Sequence, residues 1–382
     1  MDTYDDAVVG AGILGLAHAY HLAQRGRRVI VFERSPQASG ASVRNFGMLW
    51  PIGQPAGPLY RLARRSREIW LDVLARSSAW HERTGSLHLA YRDDERQVLR
   101  EFVAAADAAG IDCGWLDAQA ALQRSPAIRP DGLLGAMWSP TEVCVDPRDT
   151  VATLPAWLAT TYGVEFRFNC AVTAYAQPSL EAGGREWKAR YLVVCPGDDL
   201  QSLFPQLLGT RGMIRCKLQM MRSPAYPPNW RIGPMLAAGL TLGHYAAFRE
   251  CQSLPALRER FSRELPAYVR HGIHVMVSQN GSGELTIGDS HESAESIEPF
   301  DKPEIDALIL DYLNGFLVAP ALRVASRWHG VYAKAAAGAY VVERPAPGVT
   351  VVTGVGGAGM TLSFGLAEQV VREMLGEPAA VP

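Results

Sequence analysis

The feature that most constrains this chain is a glycine-rich turn near the N-terminus. It separates an apolar strand that ends at Val9 from an apolar helix that begins near Ile13, and Gly10, Gly12 and Gly15 give it the spacing GxGxxG. Gly10 permits the tight turn, Gly12 lets a pyrophosphate approach the backbone, and Gly15 lets the helix and the strand come close. The helix N-terminus adds N–H donors and a positive dipole end. The turn therefore predicts a βαβ unit that holds a dinucleotide.

A second predicted strand, residues 28–32, follows the predicted helix at residues 13–25 and ends at Glu33. A carboxylate at this point accepts hydrogen bonds from a ribose diol. It also repels a 2′-phosphate, which argues against NADP. The motif leaves both NAD and FAD open.

Two further segments bear on this choice. SGASVRNFGM, residues 39–48, has no periodicity and is either a polar surface loop or a second turn around a diphosphate and the edge of a flavin. GVGGAGMT, residues 354–361, lies between a predicted strand and a predicted helix. Its backbone N–H groups and the helix dipole favour the negative charge that a reduced flavin gains. This second glycine loop favours FAD.

Composition narrows the class of partner. The chain has 382 residues, 37 of them basic and 39 acidic, with a formal net charge of -2. Because no run of one charge occurs, we expect neither nucleic-acid binding nor attraction to an anionic membrane. Six cysteines stand singly, without a disulfide framework or metal-type Cys/His spacing, so we expect no metal and a reducing cytoplasm. Glycines, His18 and His21 interrupt the apolar segment near the N-terminus, and no other segment reaches the roughly 18 uninterrupted apolar residues of a membrane span. A small molecule is the expected partner.

The order of predicted elements indicates an α/β fold. We expect a Rossmann-like FAD-binding domain with an inserted α+β substrate domain dominated by an antiparallel sheet. Residues 1–80, 142–212 and 325–382 are assigned to the discontinuous FAD-binding domain. Residues 81–141 and 213–324 are assigned to the substrate-binding domain, in which strands with two-residue alternation and charged helices follow each other.

Several segments resemble the D-amino acid oxidase superfamily of FAD-dependent oxidoreductases, in the branch with glycine oxidase and monomeric sarcosine oxidase. They are VVGAGILGL with Glu33, GASVRNFGM, VDP at 145–147, ARYLVVCPG, RG at 211–212 and GVGGAGMTLSFG. The resemblance implies hydride transfer from the carbon beside an amine to FAD, hydrolysis of the imine, and reoxidation by oxygen with release of hydrogen peroxide. Because the flavin carries the redox chemistry, we expect no dedicated base or triad.

The motifs and the resemblance together predict which residues contact FAD. They are Gly10, Gly12, Ile13, Leu14, Gly15, Glu33, Arg34, Ser42, Arg44, Asn45, Phe46, Gly47, Val172, Cys195, Pro196, Gly197, Gly330, Gly354, Gly356, Gly357, Gly359, Met360 and Thr361. Gly330 stands in the region where monomeric sarcosine oxidase has its flavin-linked cysteine. The resemblance therefore implies non-covalent FAD.

Departures from these relatives bear on the substrate. Tyr332 stands where glycine oxidase has an arginine that clamps the substrate carboxylate, and Thr361 stands where sarcosine oxidase has a lysine. Without these cations an α-amino carboxylate loses its usual anchor. A subgroup encoded beside phosphonate-degradation genes is similar in RCKLQMMR, LTIGDSHE and RWHGVYAKA. It implies oxidation of 2-aminoethylphosphonate, or its N-methyl form, to phosphonoacetaldehyde.

Other functions stay open at this point. They are a glycine, sarcosine or D-amino acid oxidase, a related dehydrogenase that oxidises a hydroxy acid or glycerol phosphate and reduces a quinone, and a redox-silent nucleotide-binding protein. The residues predicted around the substrate are Arg44, Asn45, Met48, Lys217, His244 and Tyr332.

Further candidates lie near these residues. Arg215, Lys217 and Gln219 share one face of a strand, which suits a phosphonate site or equally a solvated sheet face. The remaining cavity candidates are Tyr245, Trp328, His329 and Lys334, while Asp289 and His291 belong to the cavity or to a structural turn.

Overall fold

The computed structural model describes residues 3–378. Its α-helices are α1 (Ile13–Ala23), α2 (Pro58–Ser77), α3 (Asp93–Ala106), α4 (Ala118–Arg124), α5 (Pro147–Tyr162), α6 (Pro205–Thr210), α7 (Leu240–His244), α8 (Leu254–Glu264), α9 (Pro266–Arg270), α10 (Pro303–Phe316) and α11 (Gly359–Leu375). Its strands are β1 (Thr3–Val9), β2 (Val29–Phe32), β3 (Met48–Leu49), β4 (His81–Glu82), β5 (Ser86–Ala90), β6 (Gly114–Leu116), β7 (Gly135–Ser139), β8 (Val143–Val145), β9 (Glu165–Arg167), β10 (Val172–Ala176), β11 (Ser179–Ala182), β12 (Arg185–Val194), β13 (Ile214–Arg222), β14 (Met235–Ala237), β15 (Met276–Gln279), β16 (Leu285–Gly288), β17 (Glu292–Ala294), β18 (Ser326–Lys334), β19 (Val341–Glu343) and β20 (Val349–Thr353).

The first sheet contains the βαβ unit. Strands β9, β2, β1, β12 and β20 lie side by side and parallel, and β19 and the hairpin β10–β11 add antiparallel strands. One face of this sheet packs against α1, α2, α5 and α11 in an apolar core that includes Trp70 and Phe364. The carboxyl ends of β1 and β12 meet beside the N-terminus of α1. Ligands bind at this edge of open parallel sheets.

Antiparallel pairs dominate the second sheet. Its order is β17-β13-β16-β15-β14-β5-β7-β6, with β18 paired along the full length of β13 and a single parallel pair between β14 and β5. Helices α3, α8 and α10 bury their apolar faces in the core beside this sheet. Strands β3, β8 and β4 form a small third sheet. Strand β18 ends at Lys334, close to the C-terminal glycine loop, so it brings the second sheet to the ligand edge of the first.

The predicted α/β fold class is confirmed. The helices predicted at 13–25, 58–77 and 147–163 occur within two residues of those limits, because their apolar periodicity and flanking glycines are local signals. The domain limits stay a prediction. Strand β18, which the sequence grouped with the FAD-binding domain, pairs in the second sheet.

The structure also describes the cysteines and the longest apolar helices. None of the six cysteines, all within the described residues, forms a disulfide. No helix in residues 3–378 is both long and apolar enough to cross a membrane.

Candidate active site

The turn between β1 and α1 leaves no room for side chains. A Cβ atom on Gly15 would lie 1.9 Å from the carbonyl oxygen of Gly10, and one on Gly10 would lie 2.4 Å from that of Cys195. Gly10 also has φ +97°, which glycine adopts without strain. Helix α1 has no side-chain cap from its N-cap residue, and the Ile13 N–H donates to Ser42 Oγ at 2.9 Å. The turn thus presents backbone N–H groups to a ligand.

Glu33 lies at the end of β2, next to this turn. Its carboxylate accepts the N–H of Ala11 at 2.9 Å and that of Ser35 at 3.0 Å. The carboxylate is therefore fixed where a ribose diol reaches it in dinucleotide-binding folds. The neighbouring Arg34 is largely exposed and forms an ion pair with Asp199 at 2.6 Å.

The predicted loop at residues 39–48 is held by its own hydrogen bonds. The Asn45 amide donates to two backbone carbonyls of the loop at 3.0 Å each and accepts the Gly47 N–H at 2.8 Å. Arg44 donates to the carbonyl of His329 at 3.1 Å, which ties the loop to β18. Gly47 has φ +71°, and a Cβ there would lie 2.0 Å from the Val145 carbonyl oxygen. These contacts indicate that residues 39–48 have a fixed conformation and are not a free surface loop.

The C-terminal glycine loop forms a second helix start. Gly354 has φ +72°, a short 3-10 helix spans Gly356–Ala358, and α11 begins at Gly359 without a side-chain cap. The hydroxyl of Thr361 accepts the N–H of Trp50 at 2.9 Å, so α11 is tied to the segment after the 39–48 loop. The first N–H groups of α11 are thus available to an acceptor, and the helix dipole favours negative charge there.

One cavity of about 610 Å³ joins the two helix starts. The predicted residues that line it are Gly12, Ile13, Leu14, Gly15, Ser42, Arg44, Asn45, Phe46, Met48, Cys195, Gly197, His244, Gly330, Tyr332, Gly354, Gly356, Gly357, Gly359, Met360 and Thr361. Of the further candidates, Tyr245, Asp289, His291 and Lys334 line it, whereas Arg215, Gln219, Trp328 and His329 do not. The residues predicted to contact FAD or the substrate that do not line it are Gly10, Glu33, Arg34, Gly47, Val172, Pro196 and Lys217. Of these, Gly10 and Glu33 shape the turn itself, whereas Val172 is buried at the start of β10.

The structure does not bring Lys217 to the cavity. Arg215, Lys217 and Gln219 do share one face of β13, but all three bond to residues 295–306. Lys217 is buried, with its ammonium 2.9 Å from the Glu298 carbonyl and 2.8 Å from the Asp301 carboxylate. The opposite face of β13 meets the cavity through Leu218 and Met220.

Beyond the glycine loops, the cavity contains His244, His274 and His291, here called the histidine cluster. The ring centroid of His244 lies 3.8 Å from that of His274 and 4.5 Å from that of His291. The ring centroids of His274 and His291 are 5.0 Å apart. One nitrogen of each ring lies within 4.8 Å of the others. The rings of His274 and His291 are stacked, with planes that differ by 22°, and the ring of His244 is tilted against them by 33° and 43° respectively. Sequence reasoning missed this cluster and His274 itself, because three separate segments supply the rings.

Burial governs the protonation of this region. It lowers the pKa of His291 to about 4 and lowers the pKa values of His244 and His274 well below the ordinary value. Burial also raises the pKa of Asp289, whose carboxyl lies 3.2 Å from His274 Nε2, well above its usual range. The pKa of Tyr332 is raised by burial and then by Cys216. Burial therefore favours the neutral form of the three imidazoles and of the Asp289 carboxyl.

These features fit a flavin dinucleotide. Two helix starts that have no side-chain cap from their own N-cap residues face one cavity, the glycines there leave space that a Cβ atom would reduce, and Glu33 marks the ribose end. Tyr332 lies against the C-terminal glycine loop, with its hydroxyl 3.7 Å from the place of a Cβ on Gly357. Beyond the glycine loops, the same cavity reaches His244, His274 and His291.

Comparisons with known proteins indicate the same cofactor. A family description that reads "FAD dependent oxidoreductase" (DAO) matches residues 5–373. The chain is 32% identical over 162 residues to glycine oxidase of Geobacillus kaustophilus, a match that covers 40% of this chain and 42% of that protein. It is 34% identical over 148 residues to one subunit of the anaerobic glycerol-3-phosphate dehydrogenase of Escherichia coli (strain K12), covering 37% of this chain and 26% of that protein.

The matches to these curated relatives therefore span less than half of their length. The fold extends further than the sequence match. The crystal structure of glycine oxidase from Geobacillus kaustophilus superposes with a TM-score of 0.79 at 20% identity, covering 100% of this chain and 97% of that one. The chain belongs to the DAO family of FAD-dependent oxidoreductases.

Proposed function

We propose that this protein is an FAD-dependent oxidase of a small primary or secondary amine that carries an acidic group, with 2-aminoethylphosphonate or its N-methyl form as substrate. The observation that carries the proposal is the charge of the cavity beside the glycine loops. Arg44, Arg249 and Lys334 line it, whereas Asp289 is the one carboxyl among its lining residues. Three basic groups against one acid favour a ligand with negative charge.

The same charges act on the amine of the substrate. Hydride loss from the carbon beside nitrogen requires the neutral amine, because an ammonium has no lone pair to stabilise the developing positive charge. Nearby cations oppose the ammonium form and so lower the pKa of a bound amine. Asp289 does not counter this effect, because burial favours its neutral form. The cavity thus favours the neutral, reactive form of the amine.

When bound, FAD supplies the two-electron oxidation of the carbon–nitrogen bond. The chain orients the substrate and limits water, using Trp50, Tyr245 and Tyr332 as large cavity walls. With oxygen as the proposed acceptor, the overall reaction consumes amine, oxygen and water. It yields phosphonoacetaldehyde, ammonia or methylamine, and hydrogen peroxide.

The choice of a phosphonate over an α-amino carboxylate has separate support. By the resemblance described above, Tyr332 replaces the arginine that clamps a carboxylate, so the cations lie elsewhere in this cavity. Gly330, in turn, supplies no sulfur for a flavin bond, and we propose that FAD is bound non-covalently. Oxygen as acceptor and a cytoplasmic location belong to the same proposal.

Relatives support amine oxidation, since glycine oxidase is among them by sequence and by fold. The match to one component of a glycerol-3-phosphate dehydrogenase supports a second candidate, oxidation of a phosphorylated alcohol. That substrate would also bind to basic groups in the cavity. It differs in offering a hydroxyl, rather than an amine, to be oxidised.

The test measures oxygen consumption and hydrogen peroxide with the purified flavoprotein. The separate substrates are 2-aminoethylphosphonate, its N-methyl form, glycine, sarcosine, D-alanine and glycerol 3-phosphate. We expect peroxide in equal amount to oxygen, and phosphonoacetaldehyde as product, with the two phosphonates only. Turnover of glycine, sarcosine or D-alanine instead would show that the protein is an amino acid oxidase. Turnover of glycerol 3-phosphate without peroxide would favour the dehydrogenase.

A further inference from the structure

The histidine cluster shares its chamber with an unpaired cation. Lys334 lines the same cavity and lies near enough to His244 and His291 to act on both electrostatically. No hydrogen bond or ion pair to its ammonium occurs within residues 3–378. A cation and three imidazoles therefore face the chamber together with Asp289, a carboxyl whose neutral form is favoured by burial.

The hydrogen bonds of the cluster show which ring nitrogens are free. His291 Nδ1 lies 3.1 Å from the carbonyl oxygen of Gly272, which only accepts, so this nitrogen carries a proton. His274 Nε2 lies 3.2 Å from Asp289, and its Nδ1 is buried without a partner. His244 has no hydrogen-bond partner among the described residues and its ring is open to the cavity. His291 is thus held by a hydrogen bond and His274 is buried beside Asp289, while His244 is free to meet a ligand.

Ring geometry decides which ligand suits the cluster. Metal coordination needs lone pairs that converge on one point, whereas the rings of His244 and His274, with centroids 3.8 Å apart and planes that differ by 33°, direct their in-plane lone pairs more nearly side by side. Protonation of two such neighbours is also excluded, because like charges at this distance oppose each other and Lys334 adds to the repulsion. The groups facing His244 are His274, His291, Lys334 and Tyr245, with Asp289 behind His274 and Tyr332 beside His291. An anion is what would let one of these rings carry a proton.

We propose that Lys334 and the histidine cluster bind the acidic group of the substrate, and that His244 accepts one proton when a doubly charged group binds there. This inference rests on the proposed function, since that function brings a phosphonate into the chamber. A substrate that enters as an ammonium loses one N–H proton, and His244 gains it, so no proton reaches the solvent. The imidazolium then pairs with the phosphonate, and the amine keeps the lone pair that its oxidation requires.

Methylphosphonate, which has the acidic group but no amine, tests this inference without turnover. Its binding to the flavoprotein is measured by titration calorimetry in buffers of different ionisation enthalpy, at a pH at which the free ligand is the dianion. We expect uptake of about one proton per ligand bound. His244→Asn should abolish this uptake and weaken binding roughly ten- to hundredfold, since a charge-assisted hydrogen bond is lost.

Lys334→Gln should weaken binding by a similar factor. Lys188→Gln is the matched control, because Lys188 lies on β12 and does not line the cavity, and it should bind like the wild type. The visible spectrum of bound FAD shows that each variant is folded. Absence of binding, absence of proton uptake, uptake that persists in His244→Asn, or an equimolar transition metal in the purified protein would each overturn the inference.

Failure of this inference is distinguishable from failure of the proposed function. If methylphosphonate binds with proton uptake but no amine is oxidised, the binding site for the acidic group is supported and the proposed function is wrong. If 2-aminoethylphosphonate is oxidised but methylphosphonate binds without uptake, the function stands and the role of His244 is wrong.

Discussion

Gly15→Ala tests whether the first glycine turn positions α1 for the cofactor. The added Cβ would lie 1.9 Å from the carbonyl oxygen of Gly10 and 3.3 Å from a methyl group of Val8. Even the shortest tolerated contact is near 3.0 Å, so the start of α1 must retreat from β1 by about 1 Å. Overpacking of this kind costs roughly 1–3 kcal/mol of the free energy of unfolding.

The same displacement moves the N–H groups at the start of α1 away from the dinucleotide. A hydrogen bond to a charged group is worth roughly 1.5–3 kcal/mol, so loss of one such bond weakens FAD binding by about ten- to a hundredfold. Fluorescence quenching on titration of FAD into the deflavinated protein measures this affinity, and urea unfolding measures the stability.

Gly315→Ala is the control, because a Cβ there meets no atom within 4 Å. It lies in α10, away from the cavity, and alanine should stabilise that helix by roughly 0.5–1 kcal/mol without changing FAD affinity. If Gly15→Ala keeps the wild-type FAD affinity and stability, the close contact between α1 and β1 does not position the cofactor, and the reasoning is refuted.

Three further predictions concern the substrate, the core and the ribose end. Tyr332→Arg should raise kcat/KM for glycine or sarcosine and lower it for the phosphonates, each by roughly tenfold, because it restores a carboxylate clamp; unchanged steady-state preference would show that this residue does not contact the acidic group. His88 is fully buried beside Trp50, with neither ring nitrogen bonded, so His88→Phe should raise the free energy of unfolding by roughly 1–3 kcal/mol at pH 8. Because burial lowers the pKa of His88 to about 3, the free energy of unfolding of the wild type should fall by about 1.4 kcal/mol per pH unit more than that of the variant as pH falls from 6.5 towards 3; equal pH dependence in both proteins during urea unfolding would contradict this. Glu33→Ala removes the acceptor of the Ala11 N–H and of the ribose diol, so FAD affinity should fall roughly tenfold, and an unaltered titration would exclude that role.

The parts of the fold that the sequence predicted are those with local signals. The spacing of Gly10, Gly12 and Gly15 determines a turn, and the apolar periodicity of residues 58–77 determines a helix face. Even the alternation of Arg215 and Lys217 along one face of β13 is as expected. The sequence did not determine which face of that strand meets the cavity, because this depends on the segment 295–306 folding across it.

The histidine cluster illustrates the other limit of the sequence. His244 ends a short helix, His274 precedes β15, and His291 lies between β16 and β17. Each alone is typical of a structural residue. Only the packing of α7 against the second sheet brings the three rings within 5.0 Å of one another, and no spacing along the chain signals this contact.

The most direct test of the proposed function is an anaerobic reduction of the bound FAD. The purified flavoprotein is mixed with 2-aminoethylphosphonate in the absence of oxygen, and the visible absorption band of oxidised FAD is followed, with ethylamine and glycine as separate comparisons. The account predicts that one equivalent of the phosphonate bleaches the band, while ethylamine and glycine at the same concentration leave it unchanged. Bleaching by glycine but not by the phosphonate would contradict the account, since the basic cavity would then serve an amino acid.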